Sequence, residues 1–223
     1  MSRHISEQYD TELRNIRDQL MAMGTLVEQQ VTFAGTAFVT HDIPLADEIR
    51  ETEKRLNHME LELDDQCVGI IARRQPTAGD LRQVIGVMKA ITDFERIGDE
   101  SDRIAKIALS ISNREIPSSQ YGELRNMHQK VTEQLHNALD ALARTDVEIA
   151  RRVISDDKPI DKLYKEIVGR CTQQMTEPHP DIEHLLAEIW VARSFERIGD
   201  HAKNVSEYVI FQVNGRDVRH KGL

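Results

Sequence analysis

Turn-making residues are scarce in this chain: 223 residues contain only 11 glycines and 6 prolines. So little punctuation implies few, long elements and favours an all-helical protein over one built from many short segments. Aromatic residues are equally sparse at 4%, which leaves aliphatic side chains and methionine to supply most of the packing. The two cysteines, Cys67 and Cys171, lack C-x-x-C spacing and are too few for a disulfide framework, so a reducing cytoplasm is the expected setting. Excess positive charge is missing too. A formal net charge of -9 argues against nucleic acid, whose binding is driven by Lys and Arg neutralising phosphates, and against an electrostatic lipid anchor. The first residues, "MSRHISEQYD", lack the apolar stretch of a signal peptide. No apolar run approaches the roughly 20 residues needed to span a bilayer, so no direct membrane insertion is expected.

What is present is a soluble composition, 39% hydrophobic and 30% charged, long enough for one large domain or two small ones with a real core. Hydrophobic periodicity predicts a first helix from about Ile5 to Phe38. At "THDIP" Asp42 is placed to cap a second helix, with Pro44 tolerated in its first turn. Leu45, Ile49, Leu56 and Leu63 stripe that helix, which should fade after Ile71. "RRQPTAGD" breaks the chain, offering Thr77 or Asp80 as a cap, and a third helix runs to about Ser112. "NREIPSSQYG" then separates two halves, a first bundle over residues 1–113 and a second over 114–223.

The halves repeat. "FERIGD" occurs twice, and aligning Glu95 with Glu196 sets an offset of 101 (196 minus 95). Upstream, Asp42 falls on Asp146, Ile49 on Val153 and Cys67 on Cys171, each at an offset of 104. Two tandem, similar three-helix bundles follow, with Pro159 inside the fifth helix as an expected kink or break. The matched cysteines read as small buried hydrophobes, and "EYVIFQV" near the end as helix core.

Acids stand out on this frame. On a helical wheel advancing about 100° per residue, Glu95 and Asp99 follow the line of Leu81, Val84, Met88 and Ile91. Glu196 and Asp200 likewise follow Ile182, Leu185 and Ile189. Carboxylates on a buried line need compensation, because an unpaired buried charge is costly. Acids at i and i+4 project side by side, so both reach one metal ion or two neighbouring ones. Asp157 and Asp161 repeat this spacing on the facing helix, while the first copy has Glu53 and Asn57 there. Such pairs also occur as solvated faces or partners of basic residues, and Arg96 and Arg197 lie beside them. The lone Glu-x-x-His, Glu133 to His136, is unrepeated and reads as a surface coincidence. There is no P-loop, G-x-S-x-G or His-rich metal motif, and no nucleophile with an adjacent base; an enzyme is not expected.

The duplicated units, "RRQPTAGDLRQV" and the paired "FERIGD" helices together resemble the PhoU family of phosphate-transport regulators. The similarity runs from "HISEQYDTELRNIRDQLMAMG" to "DVRH". The resemblance implies two three-helix bundles side by side, with E(D)-x-x-x-D motifs holding multinuclear iron or zinc clusters. By position those motifs fall on Glu95 and Asp99, Glu196 and Asp200, Asp157 and Asp161, and on Glu53, where Asn57 replaces the second acid with a weaker amide ligand. It further implies a cytoplasmic negative regulator of the phosphate-starvation response, often a homodimer. Such a regulator links a phosphate ABC transporter to a sensor histidine kinase and restrains phosphate uptake. The alternatives are a metal-dependent enzyme using the carboxylate clusters and a metal-free helical scaffold.

Overall fold

The computed structural model describes residues 7–113 and 118–215, and within them every regular element is helical. The first half holds α1 (Glu7–Thr40), α2 (Ile43–Arg74) and α3 (Ala78–Ser110). After a 3-10 turn at Ser118–Tyr121 come α4 (Gly122–Arg144), α5 (Val147–Ser155), α6 (Asp157–Gln174) and α7 (Ile182–Asn214). The expected start at Ile5 and residues 114–117 of the linker lie outside the described residues.

Local chemistry sets the ends. Asp42 leaves the helical region at φ -80°, ψ 97° and accepts from the Leu45 N–H at 3.0 Å, satisfying one donor that the first turn of α2 leaves open. Its repeat, Asp146, accepts from the N–H groups of Glu148 and Ile149 at 2.8 and 3.1 Å. Helix α2 continues three residues past Ile71 and stops at Gln75, whose φ of 47° closes the end ahead of Pro76. Thr77 precedes α3 without a capping hydrogen bond from its side chain.

The proline effect is a break. Pro159 has no N–H for the carbonyl of Ser155, and its ring crowds that carbonyl. Helix α5 accordingly ends at Ser155 and α6 begins at Asp157, with Asp156 as the joint at φ -80°, ψ 0°. The segment matching the unbroken α2 is therefore two helices.

Helix α3 packs against α1, α2 and α7, and α7 against α4, α5, α6 and α3, so these two are the central rods of the molecule. Phe94, Ile97, Phe195 and Ile198 are fully buried within one apolar cluster that runs through both halves. Each such side chain contributes about 1.5–3 kcal/mol by leaving water. Cys67 and Cys171 are buried as expected, and burial pushes both thiols up to about 12. Val209 and Ile210 of "EYVIFQV" are core residues.

The halves also meet where α1 crosses α4. A Cβ on Gly24 would stand 2.6 Å from Leu139 Cδ2, and one on Gly35 would stand 2.5 Å from the His128 ring. Only glycine admits these neighbours. The His128 ring stacks on Phe195 with centroids 5.3 Å apart, and its Nε2 lies 3.1 Å from the Val31 carbonyl oxygen. Burial lowers the pKa of His128, so the neutral ring donates from Nε2 to that carbonyl.

Candidate metal centre

The acid pairs lie where their line loses its cover. Three helices pack on α3, and along that line Val84 and Ile91 are fully buried, Leu81 and Met88 half-buried, and the acids progressively more open. The Glu95 side chain is 18% exposed and Asp99 49%. In the second copy Glu196 is partly buried, Asp200 is exposed, and Ile182 at the head of the stripe is exposed as well. The deeply buried acids are others: Glu53 and Asp157 among the expected residues, and Asp93, Glu100, Asp102 and Glu188 outside them.

Glu53 on α2 approaches Gly98 on α3, so closely that a Cβ there would sit 2.6 Å from its Oε2. Neither Glu53 oxygen has a hydrogen-bond partner. Its carboxyl is pushed up to about 7, first by burial and then by the charge of Asp99, with Asp102 and Glu95 adding to it and the nearby Gln30 amide opposing. Burial and Asp99 raise Glu95 as well, against Arg96. Asn57 is exposed. Glu60, one turn further along α2, is raised by burial and Asp64.

The second copy gathers the matching residues between α6 and α7. Burial and Asp200 raise Glu196, with Arg193 opposing and Asp161 and Asp157 reinforcing. Burial and Asp157 raise Asp200, with Lys203 opposing. Asp157 is satisfied by Lys203, whose Nζ donates at 2.8 Å. Glu196 accepts from Arg193 Nη1 at 2.6 Å through Oε1, while its buried Oε2 has no partner.

Sequence reasoning missed a matched pair of amides behind these sites. Gln30 Nε2 donates to the Ile49 carbonyl at 3.1 Å, and Gln134 Nε2 to the Val153 carbonyl at 3.4 Å. Gln134 is Gln30 plus 104, and Val153 is Ile49 plus 104, so the repeat offset carried the signal. Both amide oxygens are unpartnered and point at the glycine before the second acid, 3.3 Å from a Cβ on Gly98 and 2.9 Å from one on Gly199. That is the close approach for which both glycines are needed. A second missed pair joins the halves. Asp93 accepts from Asn204 at 3.0 Å and lies 2.6 Å from His201 Nδ1, and Ser194 donates to Glu100 at 2.7 Å. Arg197 pairs with Glu100 at 3.1 Å, away from the acid pair.

Three observations bear on whether these residues suit a metal ion. The donors are carboxylate oxygens, the chemistry that hard and borderline divalent cations take. Several are held above their usual pKa by burial and then by one another, and three buried oxygens, two on Glu53 and one on Glu196, lack any partner. Among the described residues, however, no group of three or more His, Cys, Asp or Glu side chains stands ready to hold an ion. The residues fit a cation in chemistry, with side chains not drawn around one point. Glu133 plays no part: His136 turns instead to Glu28, with Nδ1 at 2.7 Å from its Oε1.

Fold and sites together define a duplicated helical protein that carries the same acidic niche once per copy. The PhoU domain model matches it twice, over residues 20–108 and 124–209. The chain belongs to the PhoU family. It is 44% identical over all 223 residues to the phosphate-specific transport system accessory protein PhoU homolog of Pseudomonas putida, covering 87% of that relative. It is 41% identical, again over its full length, to the phosphate-specific transport system accessory protein PhoU of Escherichia coli K12, covering 92% of it. The crystal structure of PhoU from Pseudomonas aeruginosa superposes with a TM-score of 0.90 at 41% identity, covering 93% of this chain and all of that one.

Proposed function

We propose that this chain is an accessory protein of a phosphate-specific transport system, acting as a cytoplasmic negative regulator of the phosphate-starvation response. In this reading it links the transporter to a sensor histidine kinase, as a homodimer, and restrains uptake when phosphate is plentiful. The observation that carries it is similarity over all 223 residues to relatives bearing the transport-accessory name. Among the described residues no helix is long and apolar enough to cross a membrane, so contact with a transporter would be made from the aqueous side. Long helices offer broad faces to a partner's helices or domains. A signal arises if one state of the transporter is bound better than another, because only differential affinity shifts an equilibrium.

Glu53, Glu95 and Asp99 would hold iron or zinc in the first bundle, and Asp157, Asp161, Glu196 and Asp200 in the second. A bound ion would neutralise the clustered carboxylates and tie α2 to α3 or α6 to α7. The chain's own residues prepare this: Gly98 and Gly199 admit the facing helix, and Gln30 and Gln134 fix its distance through backbone carbonyls. A metal-free scaffold has one specific observation in its favour. Arg96 lies 3.3 Å from Glu95 and 3.6 Å from Asp99, already offsetting that pair. Metal analysis of untagged protein purified without added metal separates the two. Binding of the chain to transporter and kinase, measured with and without phosphate, tests the regulatory reading, which fails if phosphate changes neither.

A further inference from the structure

The two acidic niches share a backbone frame but not their built-in counter-charges. At the second, Lys203 Nζ stands 2.8 Å from Asp157 and Arg193 Nη1 2.6 Å from Glu196, so two of four carboxylates already hold a side-chain cation. Subtracting the offset of 101 places Asp102 where Lys203 stands and Thr92 where Arg193 stands. Thr92 spends its hydroxyl on the Met88 carbonyl of its own helix, at 3.3 Å. Asp102 is itself held by Lys106 and Arg50, and it adds negative charge beside Glu53 rather than removing it.

Glu53 is therefore left as a carboxylate 7% exposed, with both oxygens unpartnered, facing the space that Gly98 keeps open. Arg96 reaches Glu95 and Asp99 more loosely, at 3.3 and 3.6 Å, and is itself 53% exposed. A cation entering this niche meets no ammonium in the buried position. At the second niche it has to displace Lys203 from Asp157 and Arg193 from Glu196.

We infer that divalent cations fill the two niches in a fixed order, the first bundle's before the second's, with Glu53 the anchoring ligand and Lys203 a built-in competitor at the later site. The missing acid at Asn57 costs the first niche one exposed carboxylate. The buried carboxyl at Glu53, which no side-chain cation offsets, outweighs it, because a buried group without a counter-ion gains far more from a cation than an exposed one does. This order rests on the metal reading above.

The test is a titration of the metal-free full-length chain with Mn2+, following bound ion by calorimetry and free ion by electron paramagnetic resonance. Two steps at least about tenfold apart in Kd are expected, a separation of about 1.4 kcal/mol. Glu53→Gln should remove the tight step and leave the weak one, Asp157→Asn should do the reverse, and Lys203→Gln should tighten the weak step several-fold. Circular dichroism melting establishes that each variant is folded, and Lys203→Gln reports on the order independently of either ligand variant. The order is overturned if the tight step survives Glu53→Gln, if the two steps coincide, or if Lys203→Gln moves neither. Wild type that binds neither Mn2+, Fe2+ nor Zn2+ saturably overturns the metal reading itself.

Discussion

The first and second bundles keep the same contacts and fill them with different chemistry. Gln19 and Gln66 join α1 to α2 by a neutral amide pair at 3.0 Å. Adding 104 to each gives Glu123 and Arg170, which join α4 to α6 by an ion pair at 2.7 Å. Arg170 also carries Glu188, whose side chain is 2% exposed, whereas the matching position in the first copy is Val87. Glu53 and Asp157 diverge likewise, one without a counter-ion and the other on Lys203. What duplication conserves is the place where a polar contact can be made between two helices. The charge placed there is free to drift, and with it the sign of what a substitution does.

That contrast can be broken most sharply at Arg170. Arg170→Ala strands the buried Glu188 carboxylate and should cost about 3–5 kcal/mol in a denaturant titration. Gln66→Ala, at the matching position, should cost only about 1 kcal/mol, the net worth of a neutral hydrogen bond. Equal losses would mean that the ionic version is no more demanding than the amide one.

Next come the two niche acids, where opposite signs are expected. The Glu53 carboxyl titrates at about 7 in the folded protein against 4.5 for an unperturbed group, so the folded state holds the extra proton between those values. Its stabilising proton is present in full below pH 4.5 and lost as pH rises through 7. Glu53→Gln should therefore stabilise the chelator-treated protein at pH 8 by on the order of 2–3 kcal/mol, with the gain gone near pH 4. Asp157→Asn should instead destabilise by about 1 kcal/mol, since it takes a charged partner from Lys203. Melting curves at several pH values check both signs.

The seam between the bundles comes third. Gly35→Ala pushes a methyl group into the His128 ring, which Phe195 backs, and should cost about 1–3 kcal/mol. Smallest and opposite is Gly86→Ala on α3, where a Cβ meets nothing within 4 Å. It should add about 0.5–1 kcal/mol of helix propensity.

Much of this architecture was legible beforehand. Asp42, Pro44 and Pro76 act on the backbone within one helical turn, so the ends of α2 could be read from neighbours in sequence. Pro159 is the same case, and only the form of its effect, a full break at Asp156, awaited the structure. The burial of the acid pairs was not legible. A helical wheel assumes one buried side, and α3 has three neighbours, which moves Glu95 and Asp99 to the rim while Glu53 goes inside. Asp93, Glu100 and Ser194 carried no signal in the sequence, because each pairs across the α3–α7 contact with a residue about a hundred positions away. Gln30 and Gln134 were within reach, since the offset that matched Cys67 with Cys171 matches them too.

The α1–α4 seam shows what a single chain gains over two identical ones. Gly24 and Gly35 lie on α1, while their repeats, His128 and Leu139, lie on α4, and each glycine receives the bulk of the other's repeat. Two copies of the first unit meeting this way would set glycine against glycine and leave a void; two copies of the second would drive histidine into leucine. Within one polypeptide the sockets have collected on one helix and the studs on the other. Pairing of the halves is thus keyed, and neither half can take its own twin as a substitute along this seam.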